Sequence, residues 1–372
     1  MRVTPARSAQ DVKRFIDLPY RLHARDPNWV PPLRRDVATL LSRTKNPFFD
    51  HGEAEYFLAE RDGRVAGRIA AIHNRLHNET HADRVGFFGF FESEDDQAVA
   101  DALFAAAADW LRSRGLGTMR GPASFSVNDE CGLLVEGFET PPTIMMPHNP
   151  PYYSRLIEAA GFVKAKDLWC FEGYQPRGEI GERIRRGIEL VARRTGVSLR
   201  PLSMRRFDED VARIKELYNR NWEKNWGFVP MTERELDHLA EQFKPVVVPD
   251  LVFFAEKDGQ TIGFAICLPD LNVPLRRNRS GAFLPGLVRV LWGLKTKRIG
   301  RLRVLLLGLL PEYRGKGIDA MMYQRVWQKA LEYHITWGEA GWILEDNTAM
   351  TQGMVKIGWR HHKTYRLYDR PV

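Results

Sequence analysis

The sequence predicts an α/β chain in which one module is written twice. Three observations carry that expectation. An apolar run over 304–310 leads into a basic, glycine-containing turn and then a helical pattern, the order that makes an anion site. Two apolar stretches end in the same Asp-Gly hairpin signal, one over Ala59 to Gly63 and one over Ala255 to Gly259, 196 positions apart; each has another glycine four residues on, Gly67 and Gly263. The offset also recurs at a distance. Thr4-Pro5 matches Arg200-Pro201 at 196, Tyr20 matches Tyr218 at 198, Val30-Pro31 matches Val229-Pro230 at 199, Asn149 matches Asn347 at 198, and Gly161-Phe162 matches Gly358-Trp359 at 197.

Taken in order, the first segment carries Arg2, Arg7, Asp11, Lys13 and Arg14 around no apolar core and does not read as a secretory signal. Strands follow around Ala59 and over Gly89 to Phe91. The latter matches Gly308-Leu309-Leu310 at an offset of 219, so the second copy carries an insertion of about twenty residues between Pro269 and Arg303. The first copy regains register through its own insertion, Ser124 to Pro147. Gly173 to Gly178 reads as the connection, and a basic helix over Glu179 to Arg194 precedes a strand near Val197 to Arg200. After strand 89–91 the first copy has Glu92, Glu94, Asp95 and Asp96 with no glycine, a sequence that repels a diphosphate.

The second copy has Pro311 to Asp319 at that point. Gly315 and Gly317 allow close backbone approach to a diphosphate. Ile318 opens a helix whose free N–H groups and positive dipole end face the same anion, and Arg314 and Lys316 add charge. A nucleotide P-loop is excluded because Gly317, not Ser or Thr, follows Lys316; a dinucleotide fingerprint lacks its third glycine and its acid. The turn resembles the pyrophosphate loop of the GNAT acyltransferase superfamily, Arg or Gln, two residues, Gly, one residue, then Gly or Ala. Arg314, Gly317 and the preceding Pro311, Tyr313 and Gly315 carry the likeness, while Asp319 stands where that family has Gly or Ala.

The resemblance implies an α/β (α+β) protein of two tandem GNAT-like modules, each a mixed, mostly antiparallel twisted sheet flanked by helices. Residues 1–174 form the module with the degenerate loop, 175–195 a linker and helix, and 196–372 the module with the acyl-CoA site. It further implies acyl-CoA or acetyl-CoA as co-substrate, no metal, and a binding set of Leu309, Leu310, Arg314, Gly315, Lys316, Gly317, Ile318, Asp319 and Asn347, the last on the pantetheine arm.

Acylating an amine from a thioester needs a base for the amine proton and gains from an acid for the thiolate. Many GNAT members place that acid on a Tyr four residues before the Gly of a Gly-Phe pair. Here those positions hold Met354 and Ile157. The candidate bases are Glu345, ending a strand over 342–344 where GNAT sheets splay, and Glu130 or Asp129, reaching over from the first copy's insertion. Asp346 reads as the cap of the helix that begins at Asn347. His73, His77 and His81 have a helical metal-site spacing but no apolar face among their neighbours, which reads as a loop. Cys131 with His148 is a thiol–imidazole pair by composition only, and His361 and His362 read as exposed strand.

The second insertion, Leu275 to Arg303, holds an apolar stretch, Phe283 to Leu294, too short to span a bilayer and flanked by Arg and Lys. Residues 283–303 suit peripheral membrane contact, an acyl channel, or an amphipathic lid. A net charge of +8 suits a polyphosphate ligand, and no nucleic-acid motif accompanies it. Three unpaired-looking cysteines suggest a reducing compartment. Asn149 to Tyr153 and the tail from Glu345 to Arg366 resemble a widespread bacterial GNAT family that lies near bacterial ceramide synthases, which N-acylate a sphingoid amine. That implies an acyl-CoA-dependent N-acyltransferase with a lipid-like amine acceptor, cytoplasmic or at the inner face of the cytoplasmic membrane. N-acetylation of a small soluble amine or a protein lysine, and non-catalytic acyl-CoA sensing, are the alternatives.

Overall fold

A computed structural model describes residues 1–175, 182–223 and 225–372 and places both copies in one mixed sheet. The first copy supplies β1 (Arg2–Pro5), β2 (Gly52–Arg61), β3 (Arg64–Asn74), β4 (Val85–Ser93), β5 (Thr118–Gly121), β6 (Leu133–Glu136) and β7 (Val163–Tyr174). The second supplies β8 (Ser198–Pro201), β9 (Val252–Lys257), β10 (Gln260–Pro269), β11 (Arg301–Leu309), β12 (Trp337–Leu344) and β13 (Arg360–Pro371).

Local chemistry explains the repeated parts. Both hairpins turn on an Asp-Gly pair with positive φ at each residue, 53° and 76° at Asp62 and Gly63 and 50° and 78° at Asp258 and Gly259. That is the turn whose twist matches the flanking strands. The helix Gln97–Arg112 buries Val99, Leu103, Phe104, Ala107 and Leu111 on one face, and its counterpart Ile318–Glu332 buries Ile318, Met322, Val326 and Ala330. Each spacing follows the helical repeat and points that face at the sheet.

The strand order is β1-β2-β3-β4-β5-β13-β7-β12-β11-β10-β9-β8, with β6 pairing β13 off this path. The last strand of each copy therefore lies beside strands of the other. β13 pairs with β5 through Tyr368 and Gly121, and β7 pairs with β12 through Trp169 and Ile343. β7 and β13 pair with each other antiparallel. Tyr365 and Leu367 consequently pack with Leu168, Ala123 and Phe125 in the first copy's core.

The central strands are parallel and part company. β4 pairs with β5 only over Val85–Phe87, and β11 with β12 only over Arg301–Val304. Beyond those pairs each copy opens into a wedge.

The insertions lie where the register slips. Between β10 and β11 stand the helices Asn272–Leu275 and Phe283–Lys295, and between β5 and the helix Tyr152–Ala159 runs the long segment containing β6. The basic stretch forms the helix Glu182–Thr195. Gly173 and Tyr174 end β7, and the rest of the expected connection, from 176 to 178, lies outside the described residues. One expectation is corrected: Arg75–His81 is a helix, because Asn74 caps it through the His77 N–H and it buries His77 without needing a broad apolar face.

Candidate functional site

The turn after β11 is built for an anion. Pro311–Tyr313 makes a single tight turn, Gly315 and Gly317 take φ of 70° and 82°, and the helix Ile318–Glu332 begins with Gly317 at its cap position and no side-chain cap. Among the described residues the N–H groups of Gly315, Lys316 and Gly317 bond to no protein acceptor. Nothing lies within 4 Å of where a Gly315 Cβ would be. Backbone donors without acceptors, at the positive end of a helix, fit the diphosphate of a CoA thioester.

Arg314 has another task. Its guanidinium donates to Leu309 O at 2.9 Å and Asn221 O at 3.2 Å, which ties the turn to β11 and to the helix Phe207–Trp222. Arg194 braces the other side by donating to Lys316 O at 2.8 Å. Lys316 is exposed, with its ammonium 5.3 Å from the Tyr313 ring centre. Asp319 is exposed in the first helical turn, and Leu309 and Leu310 are buried, with the Leu310 N–H on Ile262 O.

The wedge between β11 and β12 forms a cleft lined by Leu305, Leu307, Ile343, Tyr323 and Asn347. Asn347 caps the helix Thr348–Lys356 through its side-chain oxygen, leaving the amide NH2 for a ligand. Val127, Asn128 and Asp129 enter the same cleft from the first copy. Asp129 is half-buried by surface area yet surrounded by protein, as befits a concave site. Burial, with the Glu235 carboxylate nearby, pushes its carboxyl up to about 7; Ser126 Oγ, donating at 3.2 Å, opposes the shift. A carboxyl so poised can take a proton near neutral pH.

The structure separates the three candidate bases. Asp129 lines the cleft. Glu130 is exposed next to it and is not part of its lining. Glu345 is engaged with Lys164 at 2.6 Å and accepts the Asp167 N–H at 3.0 Å; its neighbour Leu344 lines the cleft, but Glu345 itself does not. Asp346 pairs with Lys166, so the cap falls on Asn347 instead.

Other expectations change as well. Cys131 is buried, its thiol pushed up to about 12 by burial, while His148 bonds Asp26 at 2.7 Å. No thiol–imidazole pair forms. His362 is not exposed strand; its ring lies 2.7 Å from the fully buried Glu339. Burial alone would raise Glu339, but His362, Thr143 and Arg303 hold it low. His77 stacks near His81 and faces Asp83, whereas His73 lies on β3 opposite Glu53.

Tyr218, Tyr323 and Arg303 are among the cleft residues that carried no signal in the sequence. Tyr218 donates to Asn128 Oδ1 at 3.0 Å, Tyr323 lines the wedge, and burial holds both phenols well above their ordinary range. Arg303 lines it too, its guanidinium donating to Gly341 O and Ile144 O. The match of Tyr218 with Tyr20 marked a repeat position and gave no sign of a site. Met354, where the expected Tyr is absent, is buried in the second copy's core.

Fold, wedge and uncapped glycine loop define a tandem GNAT protein. Solved structures agree on the fold: a tandem GNAT protein from the clavulanic acid biosynthesis pathway superposes with a TM-score of 0.58 over 100% of this chain and 98% of its own, at 13% identity. A GCN5-related N-acetyltransferase from Sphaerobacter thermophilus gives 0.54 over 99% and 95%, also at 13% identity. No family model matches the chain. The bacterial ceramide synthase of Caulobacter vibrioides is 40% identical over 100% of this chain and 98% of its own length, and Protein YghO of Escherichia coli is 35% identical over 97% and 93%. The chain belongs to the family of these two relatives, and its fold is that of the tandem GNAT proteins.

Proposed function

We propose that the protein transfers an acyl group from acyl-CoA to the primary amine of a lipid-like, sphingoid-type acceptor. The observation that carries the reading is the uncapped glycine loop at the end of β11, the strand whose Leu305 and Leu307 line the wedge that Asp129 enters. The likeness to a protein named for ceramide synthesis supports the acceptor class. Such an acceptor suits a protein in the cytoplasm or at the inner face of the cytoplasmic membrane. Among the described residues no helix is long and apolar enough to cross a membrane.

In this reading the loop N–H groups hold the diphosphate and the Asn347 amide meets the pantetheine arm along β11. The acceptor nitrogen attacks the thioester carbonyl carbon, forming the C–N bond as the C–S bond breaks. Asp129 takes the amine proton. The departing thiolate takes the proton that Asp129 has collected, or one from water, which closes the proton count. Burial makes the Tyr218 and Tyr323 phenols weaker acids than a thiol, so neither replaces the Tyr whose place Met354 takes.

The sign of the pH dependence follows. An ordinary Asp titrates near about 3.9, while Asp129 titrates at about 7. Below that value it is protonated and cannot accept, so transfer rises as pH increases through about 7. Asp129→Asn should lower kcat by about 10²- to 10⁴-fold and remove that limb while acyl-CoA binding persists.

The direct test incubates the purified protein with palmitoyl-CoA and measures free CoA. Release that requires a long-chain amino alcohol is the expected result; turnover confined to acetyl-CoA with a small amine or a protein lysine would overturn the lipid acceptor. Met354 favours one second reading, an acyl-CoA sensor. Tight CoA binding without turnover on any amine would establish it.

A further inference from the structure

The helix Phe283–Lys295 is packed with its sides reversed. Toward the protein it turns Gly286, Val290 and Gly293, spaced four and three apart; Gly286 lies against Leu33, and Val290 packs with Leu271 and Ile299. Toward solvent it turns Leu284, Val288, Leu291 and Trp292, exposed by 70%, 65%, 44% and 63%. These positions share one helical face. A lid folded onto the core would bury its large side chains and expose its small ones, since apolar area seeks removal from water. The opposite arrangement calls for a second apolar surface.

Charge identifies that surface. Between Asp270 and Glu312 the sequence has no carboxylate, and Arg277, Arg289, Lys295 and Arg298 are exposed with no ion pair among the described residues. An apolar stripe edged by unpaired cations, with a Trp at its end, matches the hydrocarbon boundary and headgroups of an anionic bilayer. A second copy of the same face would instead bring like charges together. The buried side leads to the site: Val290 packs near Ile144, whose carbonyl holds Arg303 and whose neighbour Met145 lines the cleft.

We infer that this helix docks the protein on an anionic lipid surface, with Leu284, Val288, Leu291 and Trp292 entering the boundary and Arg289, Lys295 and Arg298 meeting headgroups. The inference deepens the lipid-acceptor reading and rests on it for the purpose of docking. The surface chemistry is tested separately.

Co-sedimentation with vesicles of phosphatidylglycerol and phosphatidylcholine, against phosphatidylcholine alone, is the experiment. The protein should pellet with the anionic vesicles and be released by high salt. The triple variant Leu284→Ser, Val288→Ser, Trp292→Ser should weaken partition at least tenfold, and Arg289→Gln, Lys295→Gln, Arg298→Gln should abolish the anionic preference. Thermal melting of each variant checks folding. Wild-type protein left in the supernatant, or a triple-Ser variant that pellets equally, overturns the inference. So does light scattering that shows a dimer which the Ser substitutions dissociate. Turnover on an amino alcohol without vesicle binding would leave acyl transfer standing and remove docking. Vesicle binding without turnover would do the reverse.

Discussion

The two helices that follow β4 and β11 occupy equivalent places in the repeat, and their first turns meet opposite fates. At Gln97 the Asp96 carboxylate caps the Ala98 N–H at 2.9 Å, the Asp96 N–H bonds Glu94 O, and Arg61 neutralises the carboxylates of Glu94 and Asp96. At Ile318 the cap is a glycine and the donors stay open. One helix end has supplied its own anion; the other leaves its donors open.

The wedges differ in the same sense. In the first copy Ala123 donates its N–H to Phe88 O, and Phe125, held at a φ of 85°, sets its ring among Phe48, Phe49 and Phe90. Asn149, the partner of Asn347 in the repeat, exchanges hydrogen bonds with the Leu134 backbone. The first copy's insertion thus fills its own wedge and, at Asp129, reaches into the other. A single segment therefore closes one wedge and lines the other.

Three substitutions and one control test that contrast. Phe125→Ala empties the filled wedge and should cost about 3–5 kcal/mol of stability in urea unfolding, without conferring CoA binding on the first copy. Gly317→Asp transplants the first copy's cap into the second. Left-handed strain and charge repulsion together should weaken CoA binding roughly 30- to 100-fold, with Gly317→Ala in calorimetry isolating the strain. If Gly317→Asp binds CoA as the native protein does, the loop is not the diphosphate site. Asp96→Ala has the smallest effect, about 0.5–2 kcal/mol of stability, with CoA affinity unchanged.

Much of this was legible locally. The hairpins at Asp62-Gly63 and Asp258-Gly259, the positive-φ turn at Gly315 and Gly317, and the helix from Ile318 all depend on residues within a few positions of each other. The missing Tyr at Met354 was legible too. The exchange of β7 and β13 was not, because pairing Tyr368 with Gly121 spans most of the chain and leaves no local signature. The choice among Glu345, Glu130 and Asp129 was equally hidden. All three are carboxylates in loops or at strand ends, and their surroundings distinguish them.

Sequence alone therefore determined the duplication, the glycine turn with its open donors and its acidic counterpart, since backbone sterics and hydrogen-bond supply are set by neighbours in the chain. Tertiary structure decided which carboxylate enters the cleft, which wedge is filled, and which face of the helix Phe283–Lys295 meets solvent. Burial and proximity create those properties, and both arise between residues far apart in sequence.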